Sequence, residues 1–335
     1  MSFHFVIVQG FIAVIFFVTC MSVLFHCTTR LGYEDSLSSS VKYRNRYLDT
    51  NKFNYTGECG DVLNFSSSNE RDFVIGSHDM FEKCFKPQTW EVLKMARRSM
   101  PKARIVTILY NFVPHNCPID IRNFEFYNIE YVNATKKDTE NAVAMRYISY
   151  NKYISKHIEI MDRVVLVDLM DVLFFTDFFK TFGVDNIGWM KECLSFKNES
   201  VCYGPSSFPP HGDWIEKFFT KGIRKQFEDN KWPALNGGFG YGGALKMKRM
   251  MDLYVQHMDL QHMEWGYDQA LLNVLYYNGT FKELGLETVG CQQKLCYQGK
   301  FDYKVKNRVI YFANTKCSPI AAHKLRVKAL GWKVG

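Results

Sequence analysis

The pattern of apolar and polar positions divides the chain into four parts. After a short tail at residues 1–4, residues 5–27 form a long apolar run, and residues 28–70 are polar and lack periodicity. Residues 71–335 alternate between short β-branched runs and amphipathic stretches, which is typical of strands followed by helices. Such alternation favours strand–helix–strand units, in which a right-handed crossover through the helix joins two parallel strands. The sequence therefore predicts an α/β domain with a mixed, mostly parallel sheet flanked by helices.

The apolar run at residues 5–27 is interrupted only by uncharged polar residues and one glycine until its last few positions. A helix of this length spans roughly the 30 Å hydrocarbon core of a bilayer. No small-x-small cleavage site follows it, so an uncleaved transmembrane signal anchor is predicted rather than a cleaved signal peptide. The polar residues 28–70 are interpreted as a stem. His4 and Arg30, which flank the run, do not settle its orientation.

The most informative stretch is the apolar strand predicted at residues 163–168. Three valines and one leucine lie between Arg163 and Asp168, and a second apolar run follows Asp171. Charges in so apolar a segment are costly unless they are paired, protonated or bound to a cation. Side chains three apart point to opposite faces of a strand. Asp168 and Asp171 can therefore share a site only if the chain turns after Asp168, at the carboxyl end of the strand, where open α/β sheets bind ligands.

Three interpretations of this acidic pair compete. The first is a solvated turn between two strands. The second is a phosphatase-type nucleophile pair, but that chemistry uses two acids separated by one residue, and Asp171 comes one position too late. The third is a divalent-metal and nucleotide site, which fits best because carboxylate oxygens suit Mg²⁺ and Mn²⁺.

A glycine-rich segment lies further along the chain, with five glycines in the eight residues 236–243. Glycine permits a positive φ and a close approach of the backbone to a ligand. A flexible surface loop is the plain alternative, although the neighbouring Leu235, Phe239 and Tyr241 would be badly placed in one. The segment matches neither the phosphate-loop nor the dinucleotide pattern. We interpret it as a wall of a ligand pocket, with Asn236 as a hydrogen-bond donor.

Three short motifs resemble those of nucleotide-diphospho-sugar glycosyltransferases with the Rossmann-like GT-A fold. The acidic pair with the following Val-Leu-Phe resembles the Asp-x-Asp region, in the variant with one extra residue found in collagen-modifying glycosyltransferases. The Asn-Gly-Gly and Asp-Gln segments follow in the family's order, and the resemblance covers about residues 70 to 330. The segments are Asp168–Phe174, Asn236–Gly238 and Tyr267–Gln269. The resemblance implies metal-dependent transfer of a sugar from a nucleotide-diphospho-sugar to a hydroxyl group.

The resemblance also implies a metal site. Asp171, helped by Asp168 and His323, would bind Mn²⁺ or Mg²⁺, and Asp168 could instead hold the donor's ribose. Neutral imidazole suits Mn²⁺. A lone histidine is more often structural, however, and the family's usual His-Gly-Asn segment is absent around His323.

Other residues are implied to bind the donor or to act in catalysis. Gly237 and Gly238 would bind the donor together with Asn236, and Lys324 would face the diphosphate unless it faces solvent. Arg146 is a candidate for a contact with the diphosphate or with an acid, its alternative being a solvated or salt-bridged surface position on a helix. Asp268 is the candidate catalytic carboxylate, and its plain alternative is the N-cap of the helix that follows, where Asp is favoured.

Cysteines and glycosylation sequons indicate the compartment. The eight cysteines beyond the anchor show no zinc spacing, and their even number suits disulfides in an oxidising lumen. Cys193 with Cys202, and Cys291 with Cys296, are plausible local bridges. We therefore predict a single-pass type II protein of the Golgi or ER membrane with a lumenal catalytic domain at residues 71–335. Sequons begin at Asn54, Asn64, Asn133, Asn198 and Asn278.

Charge narrows the choice of partners. The net charge is +8, but no Lys/Arg block interleaved with aromatic residues indicates nucleic-acid binding. The expected partners are a nucleotide-sugar donor, a glycan or glycoprotein acceptor, and the membrane. The alternative is a non-catalytic lumenal glycan-binding or scaffold protein with a glycosyltransferase-like fold. Such a protein would not need all of the polar residues Asp168, Asp171, Asn236 and Asp268.

Overall fold

A computed structural model describes the ranges 47–81, 83–193, 202–291, 295–297, 303–312 and 315–325. The predicted anchor, residues 28–46 of the predicted stem and the sequon at Asn198 lie outside these ranges, as does the side chain of Cys296. Within the described ranges, no helix has the length and apolarity needed to cross a membrane. A compact unit begins at Leu48, and the site described below belongs to it.

The described residues contain twelve strands, seven of which form the central sheet. The sheet has the order β3-β2-β1-β4-β7-β6-β8, and β7 runs antiparallel to both of its neighbours. The other six strands run in one direction, which confirms the predicted mixed, mostly parallel sheet. The strands are β1 (Asp72–Asp79), β2 (Arg104–Tyr110), β3 (Ile129–Ala134), β4 (Arg163–Asp168), β5 (Val172–Phe174), β6 (Ile187–Lys191), β7 (Leu235–Gly243), β8 (Glu287–Val289), β9 (Leu295–Tyr297), β10 (Tyr303–Lys306), β11 (Val309–Phe312) and β12 (Ala321–His323).

Helices cover both faces of the central sheet, as predicted. Buried residues of α3, α6 and α7 pack on one face, and those of α1 and α2 pack on the other. The spacing of Val143, Tyr147, Tyr150 and Ile154 predicts one inward face for α3. Tyr147, Tyr150 and Ile154 are buried, and Val143 is half-buried. The helices are α1 (Pro87–Ser99), α2 (Pro118–Phe126), α3 (Ala142–His157), α4 (Pro209–Phe218), α5 (Lys221–Asp229), α6 (Ala244–Gln256) and α7 (Tyr267–Tyr277).

Strand β4 lies at the centre of the sheet because both of its faces are apolar. Val164 and Leu166 face α3 and α6, while Val165 and Val167 belong to the opposite core. Burying each such side chain contributes about 1.5–3 kcal/mol. Asp168 ends the strand on the same side as Leu166, since side chains alternate along it. The strand thus carries Asp168 to the carboxyl edge of the sheet.

Three element boundaries differ from the sequence-based prediction. The alternating residues 126–132 predict a strand, but β3 begins only at Ile129, because the residues up to Phe126 complete helix α2. Asp138 or Thr139 is the predicted N-cap of helix α3, but the cap is Asn141, whose side chain accepts from the Val143 N–H at 2.9 Å. Asp213 is the predicted cap of helix α4, but the helix begins at Pro209, since the fixed φ of proline suits a first helical turn.

The segment between Leu48 and residue 70, which the sequence assigns to the stem, packs against the domain. Leu48 and Phe53 are buried with β11, and a disulfide joins Cys59 to Cys317. Further disulfides join Cys84 to Cys117 and Cys193 to Cys202. The second of these is the predicted local bridge.

Candidate functional site

A cleft of about 1190 Å³ opens at the carboxyl edge of the sheet. Its walls come from the ends of β1 and β4, the start of α3, the start of α4 and the start of α7. Among its lining residues are Asp168, Asp171, Asn236, Asp268 and Lys324. Arg146 and Gly238 line it as well, so seven of the residues predicted from sequence face one space, although they are up to 178 positions apart in the chain.

The two acids of the Asp-x-x-Asp segment lie together because the chain turns where the sequence requires. Strand β4 ends at Asp168, and the Asp171 N–H donates to the Asp168 carbonyl at 3.2 Å, which closes a tight turn. The Asp171 carbonyl in turn accepts from the Lys324 N–H at 2.8 Å. The turn and this bond bring Asp168, Asp171 and Lys324 to the same edge.

His323 reaches this edge through a small second sheet. Strand β12 pairs antiparallel with β5, so His323 lies opposite Val172, the residue that follows Asp171. Its Nε2 lies 3.3 Å from Asp168 Oδ2. One potential ligand atom from each of His323, Asp168 and Asp171 lies within 4.8 Å of the others. The structure thus brings together the three residues predicted as metal ligands.

The donor set of this cluster fits a divalent cation. Two carboxylates and an imidazole suit Mn²⁺, and the carboxylates also suit Mg²⁺. The other two clusters of potential ligands among the described residues each contain a disulfide, and a disulfide sulfur is not a thiolate ligand. In the described part of the chain, the cluster of Asp168, Asp171 and His323 is therefore the best candidate metal site.

Arg146 is buried on α3 and joins two carboxylates of the site. Its Nη1 donates to Asp168 Oδ1 and its Nη2 to Asp268 Oδ2, both at 2.5 Å. Burial raises the pKa of Asp168, but Arg146 and then His323 outweigh it, so this pKa lies well below its ordinary value. Arg146 is therefore buried and not on the surface, and its salt bridges are with two acids of the site.

Asp268 is buried in the first turn of α7 and is not its N-cap. Gly266 occupies the cap position with a φ of +87°, in the left-handed region that favours glycine. Burial raises the pKa of Asp268 above its ordinary value, although Arg146 opposes that effect. The carboxyl group lines the cleft on the far side of Arg146 from Asp168. The helix-cap alternative for Asp268 is therefore wrong.

The glycine-rich segment is a fully buried strand, β7, and none of its glycines has a positive φ. Glycine is needed at two of its positions because the side chains of Asp168 and Arg146 lie close against the strand backbone. A Cβ on Gly238 would lie 2.2 Å from Asp168 Oδ2, and one on Gly237 would lie 2.7 Å from Arg146 Nη2. The flexible surface-loop alternative does not hold, and the expected close approach of the backbone is to the site's own charged side chains.

Asn236 lines the cleft but already uses its amide group within the protein. Its Nδ2 donates to Glu192 Oε1 at 2.6 Å, and its Oδ1 accepts from the Gly238 N–H at 2.7 Å. Lys324 lines the opposite part of the cleft with a φ of +57°, an uncommon value for a lysine.

Sequence reasoning missed a polar cluster in which the buried Glu192 and His211 lie beside the half-buried Gln269. Gln269 Nε2 donates to Glu192 Oε1 at 2.9 Å, and His211 Nε2 lies 3.0 Å from Glu192 Oε2. All three residues line the cleft. Only Gln269 carried a signal, because it follows Asp268 in the Asp-Gln segment. Glu192 and His211 lie outside any recognisable motif.

Comparison with known proteins gives similarities of structure only. No family model matches the chain, and no curated protein matches it in sequence. A crystal structure of an active-site mutant of LgtC is similar at 14% identity, covering 75% of this chain and 86% of LgtC, with a TM-score of 0.45. The galactosyltransferase LgtC in complex with donor and acceptor sugar analogues is similar at 12% identity, covering 77% and 94%, with a TM-score of 0.46. These similarities concern the arrangement of strands and helices.

Proposed function

We propose that the protein is a metal-dependent glycosyltransferase that moves a sugar from a nucleotide-diphospho-sugar to a hydroxyl acceptor on a glycan or glycoprotein. The proposal rests on one observation: Asp168, Asp171 and His323 converge within 4.8 Å at the edge of a cleft of about 1190 Å³. This is the carboxyl edge of a mostly parallel sheet, where α/β folds bind nucleotides. The three sequence motifs resemble those of glycosyltransferases and meet in the same cleft.

Asp171, Asp168 and His323 would hold Mn²⁺ or Mg²⁺. When bound, the ion neutralises negative charge that develops on the leaving diphosphate. Lys324 lines the same part of the cleft and adds a cationic side chain for the diphosphate. Gly238 leaves room for Asp168 beside the strand, so that the carboxylate stays at the edge of the sheet.

Arg146 holds Asp168 and Asp268 in fixed positions, since its Nη1 binds one carboxylate and its Nη2 binds the other. Asp268 is the carboxylate assigned to catalysis, where it would orient the transferred sugar or accept a proton from the acceptor hydroxyl. Arg146 contributes by positioning these two carboxylates, and Asn236 and Gly237 form the adjoining wall.

The proposed location is the Golgi or ER membrane, with residues 5–27 as a type II anchor and the catalytic domain in the lumen. Three disulfides among the described residues support an oxidising compartment. The sequon residues Asn64, Asn133 and Asn278 are exposed and therefore accessible to a glycan.

The test is a screen of nucleotide sugars with the purified full-length protein, in Mn²⁺ and in excess chelator. We expect release of the nucleoside diphosphate from at least one donor, with loss of turnover in chelator that added Mn²⁺ restores. Turnover that persists fully in chelator would contradict the metal site. No turnover with any donor, together with retained binding of glycans, would favour the non-catalytic glycan-binding alternative.

A further inference from the structure

A second polar subsite lies next to the metal-ligand cluster along strand β7. Gly238 packs against Asp168, and Asn236, two residues earlier, contacts Glu192. Residues two apart on a strand share a face and lie roughly 6–7 Å from each other. The distance between the Glu192 cluster and Asp168, within the same cleft, is therefore about the length of one monosaccharide.

Glu192 is 2% exposed and uses only one of its two carboxylate oxygens in hydrogen bonds within the described residues. Oε1 accepts from Asn236 and from Gln269, at 2.6 and 2.9 Å. Oε2 lies 3.0 Å from His211 Nε2, within ion-pair distance, and takes part in no hydrogen bond among the described residues. A carboxylate oxygen has two lone pairs, so this oxygen can still accept from a further donor.

His211 is also buried, and its Nδ1 has no hydrogen-bond partner among the described residues. Burial raises the pKa of Glu192, but contacts with His211, Asn236 and Gln269 outweigh it and lower this pKa below its ordinary value. The ion pair with His211 offsets part of the cost of burying the Glu192 carboxylate, whereas the buried Nδ1 of His211 has no hydrogen-bond partner among the described residues and costs free energy. A ligand whose hydroxyl groups hydrogen-bond to the carboxylate and to Nδ1 would lower both costs.

The apolar side of this subsite is an aromatic ring. Trp214 lies half-buried in the cleft wall, with its ring centroid 5.5 Å from that of His211. A pyranose ring presents C–H groups on its faces and hydroxyl groups at its edge. The combination of an indole with buried polar atoms therefore matches a sugar ring.

We propose that Glu192 and His211 form the subsite for the hydroxyl groups of the transferred sugar, and that this sugar is a neutral hexose. This inference rests on the proposed function and deepens it. A uronic acid would bring a second carboxylate towards Glu192 in a site that already contains Asp168 and Asp268, and like charges repel. The hydroxyl groups of a neutral hexose donate to Glu192 Oε2 without that repulsion.

The experiment measures binding by calorimetry with the full-length protein in Mn²⁺. The probes are UDP, GDP, UDP-glucose, UDP-galactose, GDP-mannose and UDP-glucuronic acid. For the hexose donor that binds wild type, Glu192→Gln is expected to weaken binding roughly tenfold, because it replaces a charged acceptor by a neutral one. Binding of the matching diphosphate should stay within about twofold of wild type. UDP-glucuronic acid should bind wild type more weakly than UDP-glucose.

The matched control is Glu287→Gln, which removes the same charge from an exposed position outside the cleft. It should change neither the dissociation constant of the hexose donor nor that of the diphosphate. Thermal unfolding reports whether each variant is folded. If Glu192→Gln does not fold, His211→Asn tests the same subsite and should show the same selective loss.

Two results would overturn the subsite. One is an unchanged affinity of the folded variants for the hexose donor. The other is an equal loss for donor and diphosphate, which would indicate a purely structural role. If wild type binds neither diphosphate in Mn²⁺, the proposed metal and nucleotide site itself is wrong, and the subsite falls with it.

Discussion

The charged residues of the cleft stabilise one another because each buried charge has an opposite partner. Arg146 is buried between Asp168 and Asp268, and both of its contacts are short, charge-assisted hydrogen bonds. Removing one partner of a buried ion pair is strongly destabilising because it leaves a charge uncompensated. Asp171 differs from these residues, since it is exposed at the turn. Substitutions at these positions should therefore separate metal binding from folding.

Asp171→Asn should abolish Mn²⁺-dependent binding of the nucleotide while leaving the protein folded. The substitution removes a charged ligand from the cluster with Asp168 and His323, and the exposed side chain contributes little packing. Calorimetric titration of UDP or GDP, with and without Mn²⁺, measures the effect. Asp185→Asn, another exposed Asp-to-Asn change outside the cleft, is the control. Unchanged Mn²⁺-dependent binding in Asp171→Asn would remove Asp171 from the metal site.

Asp268→Asn should lower turnover by roughly 10²–10⁴-fold, the range for a lost proton-transfer group. Arg146 keeps its bond to Asp168, so the cost in unfolding free energy should be limited to about 1–3 kcal/mol. Turnover per folded molecule, together with thermal unfolding, measures both effects. Asp252→Asn, in an ion pair with Lys248 outside the cleft, is the matched control. Transfer at the wild-type rate would leave Asp268 with a structural role only.

At the scale of elements, two strand pairings assemble the site. The pairing of β4 with β7 sets Gly238 against Asp168, and the pairing of β5 with β12 sets His323 beside Asp171. Strand β7 can pass so close to the acids only because its residues there lack side chains. A shift by one residue would turn Gly238 away and direct another side chain at Asp168. The site therefore depends on the register of β7.

Gly238→Ala should disturb the metal site more than the fold. The new Cβ would lie 2.2 Å from Asp168 Oδ2, and Asp168 cannot move freely because Arg146 holds its other oxygen. We expect at least a tenfold loss of Mn²⁺-dependent nucleotide binding and a destabilisation of about 1–3 kcal/mol, as for overpacking. Titration and thermal unfolding measure these effects.

The matched control for this change is Gly222→Ala in helix α5. Its Cβ would meet no atom closer than 3.7 Å, so the change should stabilise the protein by about 0.5–1 kcal/mol and leave binding unchanged. Wild-type Mn²⁺-dependent binding in Gly238→Ala would show that Asp168 can move without loss of the site.

At the scale of the whole molecule, the Cys59–Cys317 disulfide ties the start of the compact unit to its last described segment. The bond spans 258 positions, and Cys317 lies six residues before His323. Replacing both cysteines by serine should lower the unfolding free energy by about 2–5 kcal/mol. Denaturant unfolding measures the loss. Replacing the Cys193–Cys202 pair, separated by nine positions, should lower the unfolding free energy by less, because it closes a shorter loop. A larger loss for Cys193–Cys202 than for Cys59–Cys317 would contradict this expectation.

The proposed topology concerns the full chain. The expressed protein should remain with the membrane fraction and should lose mass on treatment with an enzyme that removes N-glycans. Both outcomes follow from the apolar run at residues 5–27 and from the sequons. Fractionation and gel mobility measure them. A soluble product that begins near Thr28 would identify the run as a cleaved signal peptide.

The sequence by itself determined the features that depend on local patterning. The alternation of apolar runs predicted the mostly parallel sheet, and an apolar strand that ends in two acids predicted a turn at Asp168. The order of three motifs selected the residues that line one cleft, Asn236 and Asp268 among them. These predictions succeed because strand periodicity, and the cost of a charge within an apolar segment, both depend on residues that are adjacent in the sequence.

Only the tertiary structure decided the contacts between segments far apart in the chain. The salt bridges of Arg146 with Asp168 and Asp268 join α3, β4 and α7. The packing of Gly238 on Asp168 depends on strand register. The contacts of Glu192 arise because the end of β6 meets β7, α4 and α7, so that His211 pairs with one carboxylate oxygen while Asn236 and Gln269 donate to the other. Such contacts follow from how elements pack, and no short stretch of sequence encodes them.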